Sequence, residues 1–74
     1  MPSPEELRQR IENGIPGACA EVRSVDGVHF DAVVTAPSFD GMSRIERHRL
    51  VYGLFENGEL GGAIHALSLK TETP

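Results

Sequence analysis

The sequence predicts an α+β domain in which helices pack on a three-stranded sheet. An Asp-Gly pair separates two segments rich in β-branched and aromatic residues, a pattern typical of a β-hairpin. Segments with apolar residues at helical spacing precede and follow this hairpin, and a last apolar segment lies near the end. The predicted order is helix, strand, strand, helix, short helix, strand. A chain of 74 residues is enough for one domain, spanning 1–74.

The first helix is predicted over residues 4–13. The Ser-Pro-Glu-Glu sequence at residues 3–6 is a typical helix start, because serine caps the helix, proline suits its first position and glutamate completes a capping box. Leu7 and Ile11 stand four residues apart and form an apolar stripe. Asn13-Gly14 then indicates the end of the helix.

The two hairpin strands are predicted over residues 18–25 and 28–36, with Asp26-Gly27 as the turn. Side chains alternate between the two faces of a strand. One face of the second strand should therefore carry Phe30, Ala32 and Val34, and the other should carry His29, Asp31, Val33 and Thr35.

The second half of the chain is predicted to contain a loop, a helix and a strand. A capping box at residues 43–46 indicates a helix from about residue 44, and Asn57-Gly58 indicates its end. Its apolar stripe comprises Ile45, His48, Val51, Tyr52 and Phe55. Residues 59–62 allow at most one further helical turn. The third strand is predicted over residues 63–70.

Composition excludes several classes of protein. A single cysteine cannot form an internal disulfide, which fits a reducing compartment. The N-terminus lacks the pattern of a signal peptide, and no apolar run is long enough to span a membrane, so a cytoplasmic location without membrane attachment is expected. The net charge of -4 disfavours general nucleic-acid binding. No nucleophile-and-base set, phosphate-binding loop or carboxylate pair predicts an enzyme.

Three segments together resemble the BolA-like family and, within it, the IbaG-type branch. The first is Asp-Gly-Val-His-Phe at residues 26–30. The second is Phe-Asp-Gly-Met-Ser-Arg at residues 39–44, which runs into Arg-His-Arg-Leu-Val-Tyr at residues 47–52. The third is Ile-His-Ala-Leu-Ser-Leu-Lys-Thr-Glu-Thr-Pro at residues 64–74. They occur in the order and spacing of the family.

This resemblance implies a fold and a function. The fold is αββααβ, similar to a type II KH domain, with strands one and two antiparallel and strand three parallel to strand two. The implied function is iron–sulfur trafficking or iron sensing, in which the chain binds a monothiol glutaredoxin and shares a [2Fe–2S] cluster with it and glutathione. The chain alone is expected to be a monomer without a cofactor, and to form a heterodimer with this partner. A KH-like nucleic-acid-binding role in stress response is the alternative.

Two histidines are candidate cluster ligands. His65 matches the invariant histidine of the family, to which the resemblance assigns iron ligation; imidazole replaces thiolate on one iron in Rieske centres. From spacing alone, His65 is better interpreted as an ordinary histidine on the third strand. His29 is the candidate second ligand, and an exposed strand histidine is its alternative. Several family members carry an extra Cys or His in a longer hairpin loop, whereas this loop is short.

The remaining candidates are weaker. Cys19 lies inside the first strand and is expected to be a buried, inert thiol. The dense basic cluster comprises Arg44, Arg47, His48 and Arg49, and it is interpreted as a contact surface for a partner, glutathione or nucleic acid, or as a solvated helix face. A Gly-x-x-Gly at residues 58–61 resembles the backbone clamp of KH domains, but Glu59 would repel phosphate. A turn is the better interpretation of residues 58–61. The chain is therefore expected to bind DNA weakly at most.

Overall fold

The computed structural model describes residues 2–55 and 58–74 of the chain. Its elements in chain order are helix α1 (Pro4–Gly14), strand β1 (Cys19–Arg23), strand β2 (His29–Thr35), a 3₁₀ turn (Pro37–Phe39), helix α2 (Arg44–Tyr52) and strand β3 (Ala66–Glu72). The predicted α+β class, with a three-stranded sheet, is confirmed.

The sheet is mixed, with β2 at its centre. Strand β1 runs antiparallel to β2, with Arg23 opposite Asp31, and strand β3 runs parallel to β2, with His29 opposite Ala66. This topology confirms the expectation from the family resemblance. Because β2 and β3 are parallel, both begin at the same end of the sheet, which is also the end where the β1–β2 hairpin turns.

One face of the sheet packs against the helices and the other is open to solvent. Alternation along β2 buries Phe30, Ala32 and Val34, as the sequence predicts. These side chains form one core with residues from both helices and the 3₁₀ turn, including Leu7, Ile11, Phe39 and Val51. His29 and Asp31 lie on the opposite face and are exposed.

Both helices begin with the predicted caps. In α1 the Ser3 side chain accepts a hydrogen bond from the Glu6 N–H, and Pro4 opens the helix. In α2 the Ser43 hydroxyl accepts from the Glu46 N–H at 3.2 Å, while the Glu46 carboxylate accepts from the Ser43 N–H at 2.8 Å. These reciprocal bonds satisfy N–H groups that the first helical turn leaves without partners.

Helix α2 is shorter than the sequence predicts. It ends at Tyr52, and Gly53 caps it in a right-handed helical conformation. After Gly53 the hydrogen bonds become those of a 3₁₀ turn, because the N–H groups of Leu54 and Phe55 donate to carbonyls three residues earlier. The predicted end at Asn57 lies outside the described residues. Ile45, placed on the apolar stripe, is instead 64% exposed, because it lies on the outer side of this short helix.

The predicted short helix before β3 is absent, since residues 58–64 form turns and an isolated bridge between Leu60 and Ile64. Gly61 has a φ of 87°, a conformation in which glycine is favoured. A Cβ on Gly62 would come within 2.3 Å of the Gly58 carbonyl oxygen. Because these tight turns occupy residues 58–64, the third strand begins at Ala66 rather than at residue 63.

Candidate functional site

The hairpin turn and the start of β3 meet at one end of the sheet. The N–H groups of His65 and Ala66 both donate to the Val28 carbonyl, at 2.7 and 3.3 Å. Val28 lies directly before β2 and His65 directly before β3. The parallel register of the two strands therefore places the two segments side by side, although they are far apart in the chain.

The imidazole rings of His29 and His65 are brought together by this arrangement. Their centroids are 5.6 Å apart and the rings are nearly perpendicular, at 86°. Both side chains are exposed. A metal–imidazole bond is about 2 Å long, so two rings at this separation can reach a single metal centre. The two candidate ligands therefore lie side by side at the surface.

Asp26 holds the His29 side of this site. Its Oδ1 atom accepts hydrogen bonds from the N–H groups of Val28 at 3.0 Å and His29 at 2.8 Å, and its Oδ2 atom lies 2.6 Å from His29 Nδ1. The backbone N–H of His29, followed by that of Val28 and by the His29 ring, holds the pKa of Asp26 well below its usual range. The carboxylate is therefore ionised at neutral pH.

The hairpin turn has further hydrogen bonds that do not involve Asp26. The Ser24 hydroxyl donates to the His29 carbonyl at 2.6 Å and accepts from the Gly27 N–H at 2.9 Å. Gly27 has a φ of 80°, in the left-handed region that favours glycine. The backbone around His29 is thus fixed from both sides of the turn.

The expectation that Cys19 is buried is wrong, because its side chain is exposed. Cys19 shares the outward face of β1 with Glu21 and Arg23, while Ala20 points into the core. It pairs with Thr35, six residues along β2 from His29. At about 3.3 Å per residue this separation is about 20 Å, so Cys19 lies at the opposite end of the sheet.

Within residues 2–55 and 58–74, no group of three or more His, Cys, Asp or Glu side chains is arranged to hold a metal ion. In the same part of the chain, no helix has the length and apolar character needed to cross a membrane.

The predicted basic cluster divides into parts with different surroundings. Arg47 is half-buried: its Nε donates to the Met42 carbonyl at 3.0 Å, and its guanidinium lies 5.7 Å from the centre of the Phe39 ring. These contacts fasten the start of α2 to the 3₁₀ turn. Arg49 is exposed near the end of the helix.

Arg44 and His48 share a face of α2 and line an open cavity of about 280 Å³ between this helix and β3. Leu69, Lys70 and Thr71 form the strand side of the cavity. The cavity combines basic side chains from both elements. Its lining suits contact with an anionic group of a partner.

The Gly-x-x-Gly segment has the turn structure expected of it. Gly58 has a φ of 89°, and the Glu59 carboxylate accepts a hydrogen bond from Arg10 of α1 at 2.6 Å. The Arg10 guanidinium also lies over the Phe55 ring, 5.1 Å from its centre. Glu59 thus links this turn to α1.

Sequence reasoning misses two residues of these surfaces. It assigns Asp26 only to a turn, although the position of Asp26 three residues before His29, across Gly27, allows both contacts with that histidine. It assigns Lys70 only to the end of a strand, whereas Lys70 lines the cavity beside Arg44. The sequence contains no signal for the second contact, because it depends on how α2 lies against β3.

The three-stranded mixed sheet with helices on one face defines a small α+β domain. The family model described as BolA-like protein matches residues 12–74, so the chain belongs to the BolA-like family. The chain is 32% identical over 77 residues to BolA-like protein 1 of Homo sapiens, covering 92% of this chain and 56% of that protein. It is 41% identical over 51 residues to the acid stress protein IbaG of Escherichia coli, covering 69% of this chain and 61% of that protein.

Solved structures agree with this assignment. A BolA protein homologue from Coxiella burnetii is 43% identical and superposes with a TM-score of 0.76, covering 100% of this chain and 94% of that one. The curated relatives are longer: the chain spans 56% of the human protein and 61% of IbaG.

Proposed function

We propose that this chain binds a monothiol glutaredoxin and shares a [2Fe–2S] cluster with it, with His65 as one ligand and His29 as the second. The observation that carries this proposal is the meeting of the two exposed imidazoles, 5.6 Å apart, where the hairpin turn adjoins the start of β3. Imidazole nitrogen is an established iron ligand in clusters of this type.

The need for a partner follows from the number of ligands. A [2Fe–2S] cluster takes four protein or cofactor ligands, and the histidine pair supplies two. Cys19 lies about 20 Å away by its strand register, so it is not available to the same cluster. We assign the remaining ligands to thiolates of the glutaredoxin and glutathione. The chain would then act as an adaptor in the cytoplasm, with the cluster as its cargo.

The test is reconstitution of the cluster from the two proteins. The chain is mixed with a monothiol glutaredoxin, glutathione, iron and sulfide, and the products are separated by size and examined by visible absorption and circular dichroism. The proposal predicts a one-to-one heterodimer whose spectrum differs from that of the glutaredoxin cluster alone. A glutaredoxin spectrum that is unchanged by the chain, with no heterodimer, would contradict it.

The second candidate function is KH-like nucleic-acid binding in a stress response. The observation that favours it is the basic lining of the α2–β3 cavity by Arg44, His48 and Lys70. The net charge of -4 and the acidic Glu59 in the Gly-x-x-Gly turn oppose it. It predicts that Arg44→Ala weakens DNA binding and that affinity falls steeply with salt. Binding too weak to measure at physiological salt would exclude it.

A further inference from the structure

The carboxylate of Asp26 constrains which nitrogen of His29 carries a proton. Oδ1 already accepts two backbone N–H bonds, and Oδ2 lies 2.6 Å from His29 Nδ1. An ionised carboxylate only accepts hydrogen bonds. The short contact therefore requires that Nδ1 donates, so in the neutral ring the lone pair is on Nε2.

We propose that Asp26 is a positioning residue that holds His29 as the Nδ1-protonated tautomer and so presents Nε2 to the cluster. The ligand part of this inference rests on the proposed function, whereas the tautomer is a property of the chain alone. Carboxylates bonded to the second nitrogen of a ligating histidine commonly fix its tautomer and orientation in metal sites.

Asp26→Asn separates this role from a structural one. The amide oxygen of asparagine can still accept the Val28 and His29 N–H groups, and the Ser24 bonds are untouched. The amide nitrogen, however, is a donor facing Nδ1. The variant should keep the turn and move the ring proton to Nε2, which removes the lone pair from the ligand position.

The control is Asp31→Asn. Asp31 lies on the same exposed face of β2, two residues beyond His29, and its replacement removes the same charge. In this proposal, Asp31 does not influence which ring nitrogen of His29 carries the proton. Because both substitutions remove one negative charge, any effect of net charge on partner binding should be equal in the two variants.

The tautomer is measured in the isolated protein by ¹⁵N NMR of the histidine rings at a pH where they are neutral. The proposal predicts Nδ1-protonated His29 in the wild type and in Asp31→Asn, and Nε2-protonated His29 in Asp26→Asn. A wild-type ring protonated mainly on Nε2 would overturn it, whatever the outcome of cluster reconstitution.

The ligand role is measured in the reconstituted complex. Asp26→Asn should retain its fold and lower cluster affinity by about ten- to a hundredfold, the usual effect of losing such a partner, whereas Asp31→Asn should match the wild type. Equal cluster affinity in all three proteins would overturn the ligand role. Failure of the wild type to form a mixed cluster would instead overturn the proposed function, and the NMR result would still decide the tautomer.

Discussion

The rings of His29 and His65 lie edge to face, 5.6 Å apart, although the two residues belong to different segments of the chain. Their contact depends on the parallel register that places Ala66 opposite His29. A shift of β3 by one residue would move its side chains to the other face of the sheet. The pair is thus a direct consequence of the fold.

Asp26 should make stability depend on pH in the acid range. Its folded-state pKa is lowered by the N–H groups of His29 and Val28, so its stabilising effect is present above the unfolded value of about 3.9 and is lost as the pH falls further. Thermal unfolding of the wild type and Asp26→Asn at pH 6 and pH 3 should show a difference in Tm that shrinks at the lower pH. An unchanged difference would contradict this.

Cys19 should react readily with a thiol reagent in the folded protein, because its side chain is exposed. Its reaction, and the substitution Cys19→Ser, should leave the mixed cluster spectrum unchanged, since Cys19 is at the far end of the sheet from His29. The measurements are alkylation followed by mass spectrometry and the visible spectrum of the complex. Loss of the cluster in a folded Cys19→Ser protein would show that a ligand has been misassigned.

Arg47 should contribute to stability more than its neighbour Arg44. Arg47→Ala removes a hydrogen bond to Met42 and a cation–π contact with Phe39, together worth about 1–2 kcal/mol. Arg44→Ala removes a surface group, for which a change of about 0.5 kcal/mol or less is usual. Urea unfolding measures both. Equal destabilisation by Arg47→Ala and Arg44→Ala would contradict the assignment of a structural role to Arg47 and a surface position to Arg44.

Local patterns predict most of the fold because each element has its own signal. The caps at Ser3 and Ser43 and the alternation around Phe30 correspond directly to the structure. The prediction for Cys19 is wrong because it gives the apolar character of cysteine more weight than strand alternation, which places Cys19 on the outward face with Glu21 and turns Ala20 inward. The candidate site is predictable only as separate histidines, since their contact depends on strand pairing between distant segments.

The most direct test of the proposed function is His65→Ala in complex with a monothiol glutaredoxin. His65 is exposed and lies just before β3, so its removal should leave the fold intact. His29→Ala serves as the comparison, and it should weaken or alter the cluster. The account predicts that His65→Ala abolishes the distinctive absorption and circular dichroism of the mixed cluster. An unaltered mixed cluster in His65→Ala would contradict it.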